Sequence, residues 1–418
     1  MTPAVDTQLS VADAVARVVR DVPVLAAEEL SLRAAHGLVL AADVVSPITL
    51  PPWNNSAMDG YAVHAADLAS LPARLPVLET VRAGGEPTQP LTRGHATRIM
   101  TGAPVPDGAD SVVRVEDTDG GLTEVVITRD RDAGKNIRPR GEDIREGQVV
   151  IPAGTTIAAA QLGVLASVGA ADVMVHRAPR VAILTSGDEL VELEQFQQVR
   201  DGKRIVSSNS ITLQALVRAA GGEPHYLGIA ADNPESLRAH LQRAIGFDLL
   251  ITSAGVSVGE HDFVRDVLTE LGAELKFWRV RMRPGAPIVF GMLGAMPWLG
   301  LPGNPVSTMV TFELFARPAI RRMRGHARLF RRPVPVIVDE PLNAPPELTH
   351  FQRAIVSTRD GERHARLTGP QSSGILTSMS LANALLVVPA GRGRVEAGET
   401  LHALPLDGDA ELAEQFAL

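Results

Sequence analysis

Glu189, Asp232 and Asp262 are three carboxylates that each follow a short apolar run. Oxygen donors beside turns rich in free backbone amides suit Mg2+ held between a carboxylate and a substrate phosphate. Arg279, Arg281 and Arg283 lie in the run Phe277-Trp-Arg-Val-Arg-Met-Arg-Pro-Gly285. Strand alternation puts all three on one face. Stacked guanidiniums are costly unless anions neutralise them, although an open, solvated face would serve equally well. His261 stands beside Asp262, yet a lone His is more often packed or solvated than catalytic. No His pair at metal-ligand spacing and no Walker A motif occurs, which argues against an ordinary P-loop ATPase.

The stretch that must position these groups is Phe247-Asp-Leu-Leu-Ile-Thr-Ser-Ala-Gly-Val-Ser-Val-Gly-Glu-His-Asp262. Residues 247–252 read as a buried strand, 253–259 as a Gly/Ser turn, and 260–271 as a helix with one apolar face. A strand, a turn of free amides and a helix start make an anion site, with Ser253, Gly255 and Ser257 in the turn. Asp262 in a first helical turn also complements the helix dipole with no ligand at all, so the stretch alone leaves both readings open.

From residue 181 to 324 strands and helices alternate, which implies a doubly wound, mostly parallel sheet. Ligands bind such sheets beyond the carboxyl ends of the strands. Three loops fall there: Thr185-Ser-Gly-Asp-Glu189, residues 253–262, and Leu301-Pro-Gly-Asn-Pro-Val-Ser307. A shared pocket for an anionic or phosphorylated small molecule follows.

The rest of the chain has a different texture. Residues 10–22 have helical spacing, and 80–117 form short β runs broken by Gly and Pro, a small β-rich domain. Asn55, Ser56 and Asp59 crowd a loop after Pro51 and Pro52, Thr101 sits in a Gly-Pro loop, and Arg138, Arg140 and Asp143 share a charged loop. On propensity alone the first reads as a turn-rich linker, and a charged loop such as the last is usually a solvated surface loop. After Arg332 short strands at 334–338, 351–356, 364–367, 385–388 and 400–404 suggest a closing β domain, barrel-like or sandwich-like.

Bulk properties narrow the classes. The chain has 418 residues, enough for two to four domains, with 45% hydrophobic and 21% charged residues, an ordinary globular mix. Net charge is −8, no dense Lys/Arg run appears, and aromatics are 4%, which argues against nucleic acid. There is no cysteine, so disulfides, thiolate metal sites and Cys nucleophiles are excluded. No signal peptide is recognisable, and the Ala-rich stretch at 158–175 is too broken to span a membrane, so a cytoplasmic location is expected.

Asn55-Ser-Ala-Met-Asp-Gly-Tyr-Ala, Arg140-Gly-Glu-Asp-Ile, Ser186-Gly-Asp-Glu-Leu, Ser257-Val-Gly-Glu-His-Asp and Leu301-Pro-Gly-Asn-Pro-Val-Ser together resemble the MoeA family. Its members are molybdopterin molybdenumtransferases, and it includes the E domain of gephyrin. The resemblance covers nearly the whole chain in order. It implies four domains in a homodimer: 1–47 plus 147–178, a small mixed N-terminal domain; 48–146, β-rich; 179–327, the α/β molybdopterin-binding domain; and 328–418, a C-terminal β-barrel-like domain. It implies the last step of molybdenum cofactor synthesis, in which adenylylated molybdopterin and molybdate react with Mg2+ to give the cofactor and AMP. Docking with other enzymes of that pathway is a further expectation.

By the same resemblance, Asp188, Glu189, Asp232 and Asp262 match acidic positions for Mg2+ and the pyrophosphate link, with Glu189, Asp232 and Asp262 as metal ligands. Asp59, Thr101, Arg138 and Asp143 match functional positions of the second domain, reaching the pocket of the other subunit. Arg283, Pro284, Ser307, Arg353 and Ser373 match the molybdate site. Ser186, Gly187, Ser253, Gly255, Ser257, Arg279, Gly303 and Asn304 complete the substrate-binding set. A tetrahedral dianion suits Arg forks, hydroxyls and backbone amides. The chain departs from the pattern at three places. The usual Lys-Pro-Gly-Lys-Pro reads Arg283-Pro-Gly-Ala-Pro287, so Ala286 lacks a cation. The usual Ser-Gly-Gly reads Ser253-Ala-Gly255, and an Asp is replaced by Ser207. Competing readings are the adenylylating enzyme of the preceding step, which needs only residues 179–327, a non-catalytic scaffold, and a tungstate-handling relative.

Overall fold

The computed structural model describes residues 6–129, 131–255 and 263–406. Its centre is a seven-stranded sheet in the order Asp6–Leu9, Ala273–Val280, Val289–Leu293, Met296–Leu301, Leu249–Ser253, Arg180–Ser186 and Glu223–Ala230. The last four run parallel, while Val289–Leu293 is antiparallel to both neighbours. The reason for the exception is length. Gly294 and Ala295 join Val289–Leu293 to Met296–Leu301, and a connection that short makes a hairpin, since a parallel return needs a crossover of a dozen residues.

Apolar residues on successive positions point to opposite faces, and both faces are covered. Val181, Ile183, Leu249, Ile251, Leu299 and Leu301 pack in one core, under the helices Ser208–Ala220, Pro305–Thr311 and Arg317–Met323. Ala182, Leu184, Leu250 and Trp298 pack in the other, under Pro234–Gln242 and Phe263–Glu270. This is why these strands read as continuous apolar runs. Truncating one of them, as in Ile251→Ala, costs about 2–5 kcal/mol. The helical stretch from Pro305 to Met323 is interrupted, since Phe312–Ala316 is a π-turn. Pro318 follows it and lacks the N–H that would bond back to Leu314, so the chain widens there.

The remaining cores are smaller. Ala27–Ser31, Val39–Leu40 and Asp172–His176 form a three-stranded sheet, and Leu40, Ile157, Leu165 and Val175 fill its core. Glu124–Ile127, Ala73–Val81, Ala96–Ile99, Gly60–Val63 and Ser111–Arg114 form the β-rich sheet around Tyr61, Leu75 and Val113. Val334–Val338, Thr349–Arg359, Glu362–Leu367, Ala384–Val388 and Thr400–Pro405 close into a five-stranded barrel, because Thr349–Arg359 pairs with both Glu362–Leu367 and Ala384–Val388. Met282–Arg283 joins this barrel by a short parallel pairing with Thr349 and His350. Among the described residues no helix is long and apolar enough to cross a membrane.

Candidate active site

Arg180–Ser186, Leu249–Ser253 and Met296–Leu301 are adjacent in the sheet and all three end at the same edge. Their loops enclose a cavity of about 430 Å³, lined by Ser186, Glu189, Ser207, Asn209, Ser253, Gly255, Gly303 and Asn304 among others. The three loops converge in their described residues, the second through Ser253, Ala254 and Gly255. Ser257 and Asp262 lie outside the described residues.

Small residues shape this lobe. Gly187 has φ 150°, and a Cβ there would fall 2.7 Å from Glu189 Oε2, so only glycine lets that carboxylate fold over the turn. Gly255 has φ 69°, and a Cβ there would meet Val264 Cγ2 at 2.2 Å. Asn209, in the first turn of Ser208–Ala220, ties two loops together. Its Nδ2 donates to Ser253 Oγ at 2.8 Å and to the Gly303 carbonyl at 2.7 Å. Ser186 Oγ and Asn209 Oδ1 are buried in the cavity wall with no hydrogen-bond partner among the described residues. Such atoms call for a partner from a ligand or solvent.

Asp188 and Asp232 sit at the ends of neighbouring strands and exchange backbone hydrogen bonds. The Asp232 amide donates to Asp188 Oδ1 at 3.1 Å, and the Asp188 amide to Asp232 Oδ2 at 3.4 Å. Arg204 donates to the Asp188 carbonyl. Among the described residues no group of three or more His, Asp or Glu is placed to hold a metal alone. Glu189 and the two aspartates are hard oxygen donors, the chemistry that suits a cation keeping waters and phosphate oxygens in its shell. Tyr226 is pushed up to about 12, chiefly by burial, and donates to Glu192 Oε1 at 2.9 Å, so it acts as a neutral donor.

A second cavity of about 690 Å³ opens beside the first and shares Pro287, Pro302 and Asn304 with it. Arg283, Pro284, Ala286, Ser307, His350, Arg353 and Ser373 line it. Gly285 has φ 100°, and a Cβ there would meet Thr311 Cγ2 at 2.4 Å, so the turn lies tight against the helix carrying Ser307. Arg353 is 1% exposed. Its Nε donates to Ser378 Oγ at 3.0 Å and Nη2 to the Ser372 carbonyl at 3.0 Å, and burial pulls its pKa down. Among the described residues no carboxylate pairs with it, so its charge is available to an anion. The Ser373 carbonyl accepts from the Val306 amide at 3.2 Å, holding the barrel to the helix start.

The three arginines expected on one face are not together. Arg279 has φ 69°, a left-handed residue that breaks the alternation, and its guanidinium lies 5.3 Å over the Trp278 ring. Arg281 is exposed, and Arg283 belongs to the pairing with the barrel. Of the three, Arg283 alone lines either of these two cavities. A positive φ at a residue other than Gly or Asn leaves no sequence signal.

Asp59 and Thr101 meet: Asp59 Oδ1 accepts from the Thr101 amide at 2.7 Å and from Thr101 Oγ1 at 2.8 Å. These bonds hold the Asp59 carboxyl below its usual range. Arg138 pairs with Asn55 across two short strands, and the Asp143 amide donates to the Leu50 carbonyl at 3.2 Å. All four side chains are exposed, and none lines either cavity within the single chain. Asn209 and His350 were not singled out by sequence reasoning. Asn209 had a usable signal, an amide side chain just inside a helix start at the strand edge. His350 had none.

Comparison with known proteins agrees along the chain. Residues 9–169 match the model "MoeA N-terminal region (domain I and II)", 182–322 the "Probable molybdopterin binding domain", and 335–406 the "MoeA C-terminal region (domain IV)". A molybdopterin molybdenumtransferase of Nostoc sp. is 38% identical over 91% of this chain and 88% of its own. Molybdopterin molybdenumtransferase 2 of Mycobacterium tuberculosis is 39% identical over 90% of this chain and 94% of its own. The crystal structure of a molybdopterin biosynthesis moeA protein from Pyrococcus horikoshii OT3 superposes with a TM-score of 0.81, at 28% identity, over 96% of this chain and 100% of that one.

Proposed function

The chain belongs to the molybdopterin molybdenumtransferase family of molybdenum cofactor biosynthesis, and from that premise we propose that it inserts molybdate into adenylylated molybdopterin with release of AMP. One observation carries the reading. A lobe of hydroxyls, amides and a carboxylate adjoins a lobe with a buried, acid-free arginine, and the two share a wall at Pro287, Pro302 and Asn304. That arrangement suits a long anionic pterin beside a small oxyanion.

In this reading Ser186, Asn209, Ser253, Gly255 and Gly303 seat the pterin phosphate end, with Ser257 and Asp262 from the neighbouring loop. The hydroxyls and amides donate to phosphate oxygens and keep the anhydride fixed. Mg2+ held by Glu189, Asp232 and Asp262 would neutralise anhydride charge. Arg283, Pro284, Ser307, Arg353 and Ser373 hold molybdate next to the dithiolene end. Asp59, Thr101, Arg138 and Asp143 act from the second subunit of a cytoplasmic homodimer, which accounts for their distance from both cavities in one chain. Four modules, bounded as the sequence suggests, divide this work.

The test is AMP release from adenylylated molybdopterin, with and without molybdate and with and without Mg2+. Release that needs both is the expected result. Tight ligand binding with no AMP release under any condition would sink the transferase reading.

A further inference from the structure

Two neighbouring strands, far apart in the chain, meet at the wall of the second lobe. Met282–Arg283 runs parallel to the start of Thr349–Arg359, and Arg283 and His350 are partners in that register. His350 is 5% exposed and lines the lobe with Arg283, Ser307 and Arg353. Its Nε2 is 3.0 Å from the Pro345 carbonyl. A carbonyl only accepts, so Nε2 carries the proton, and Nδ1 is the ring atom left for a second proton.

The surroundings set the charge of this imidazole. A protonated His350 would place a cation directly against Arg283, which is unfavourable for cross-strand neighbours. Burial first, and then Arg283, hold its pKa below the ordinary value. Arg283, His350 and Arg353 are the titratable side chains among the residues that line the lobe. The flanking strand Ala384–Val388 carries no charge, and Glu347 in the preceding turn is exposed and outside the lobe. Ala286 in the same wall brings no cation.

A tetrahedral dianion reverses this balance. Placed between the guanidiniums and the imidazole, it neutralises Arg283 and offers Nδ1–H an acceptor. We infer that His350 is the oxyanion-recognition residue that takes up a proton when molybdate or a like dianion enters the lobe. The inference rests on the reading of this lobe as the oxyanion site and adds a residue and a proton to it. Proton uptake on binding makes affinity rise as pH falls, with log K against pH approaching a slope of about −1 while His350 is neutral in the free protein.

Calorimetric titration of the full chain with molybdate, and separately tungstate, tests this near pH 7 in two buffers of different ionisation enthalpy. Uptake approaching one proton per dianion is expected for the wild type. His350→Gln is expected to lose that uptake and bind about tenfold more weakly. Saturable binding with no proton uptake by the wild type, a measurement that needs no variant, overturns the assignment of His350. So does unchanged uptake in a folded His350→Gln protein. Absence of saturable binding of either oxyanion overturns the oxyanion site itself, and this inference with it.

Discussion

Asp188 and Asp232 clasp each other across two neighbouring strand ends, the backbone amide of each donating to the other's carboxylate. The clasp fixes the edge of the sheet where the first lobe opens. It ties the turn carrying Glu189 to the loop before the helix Pro234–Gln242.

Asp232→Ala leaves the Asp188 amide without this partner. Folding stability falls by about 1 kcal/mol, the ordinary net value of one hydrogen bond. AMP release falls much further, because the site loses a carboxylate while the turn bearing Glu189 keeps only one of its two clasp bonds. Thermal unfolding and the AMP assay separate the two effects, and equal small losses in both would contradict the prediction.

Arg353→Lys keeps the charge and loses the fork. Lysine cannot bond Ser378 Oγ and the Ser372 carbonyl as the guanidinium does. Stability drops by about 1–3 kcal/mol. Molybdate affinity drops tenfold or more, read by the same calorimetric titration. Ser378→Ala removes only the Nε partner and should show the smaller stability loss of the two.

Ala254 and Gly303 predict a coupled pair. Ala254 has φ 76°, and its Cβ lies 3.2 Å from where a Gly303 Cβ would stand. Holding alanine there costs about 1–2 kcal/mol. Gly303→Ala should destabilise the wild type but be better tolerated beside Ala254→Gly. A double-mutant cycle by chemical denaturation should give a coupling above about 0.5 kcal/mol, the usual scale for neighbours. Strict additivity would count against it.

Asp132 supplies a pH dependence away from the active site. Bonds from the Arg114 guanidinium, at 2.8 and 2.9 Å, together with the Arg114 and Asn136 contacts, pull its carboxyl down to about 2 against burial. Its folded pKa lies below the unfolded value, so its contribution is present above about pH 4 and fades as pH falls towards 2. Asp132→Asn should cost stability at neutral pH, and the gap to the wild type should close on acidification. A gap that stays constant from pH 7 to about pH 2 would refute the assignment.

Much of this was legible in the sequence wherever local pattern and topology speak with one voice. Val181 to Ser186 and Leu249 to Ser253 announce buried parallel strands, and the rule that their carboxyl ends bind ligands brings Ser186, Ser253 and Asn304 together. Glu189 follows from the same rule. What was not legible depends on single dihedrals and long-range register. Arg279 leaves its strand face through one left-handed residue. His350 reaches the lobe because a two-residue strand just past the central sheet, Met282–Arg283, is captured by the barrel strand Thr349–Arg359 some 66 residues later. No periodicity encodes either event.

That captured strand has a mechanical consequence. Met282–Arg283 is continuous with the central sheet and hydrogen-bonded into the barrel, and the Val306 amide is tied to Ser373 on the opposite wall. The second lobe therefore lies where barrel and central sheet share their packing, with Phe351 and Leu385 of the barrel inside the central core. Anything bound there would act as mortar, touching Arg283 on the captured strand and Arg353 on the barrel strand beside it. Because that core is shared, loosening the barrel should loosen the wall of the lobe, and a ligand held there should raise the melting of both together.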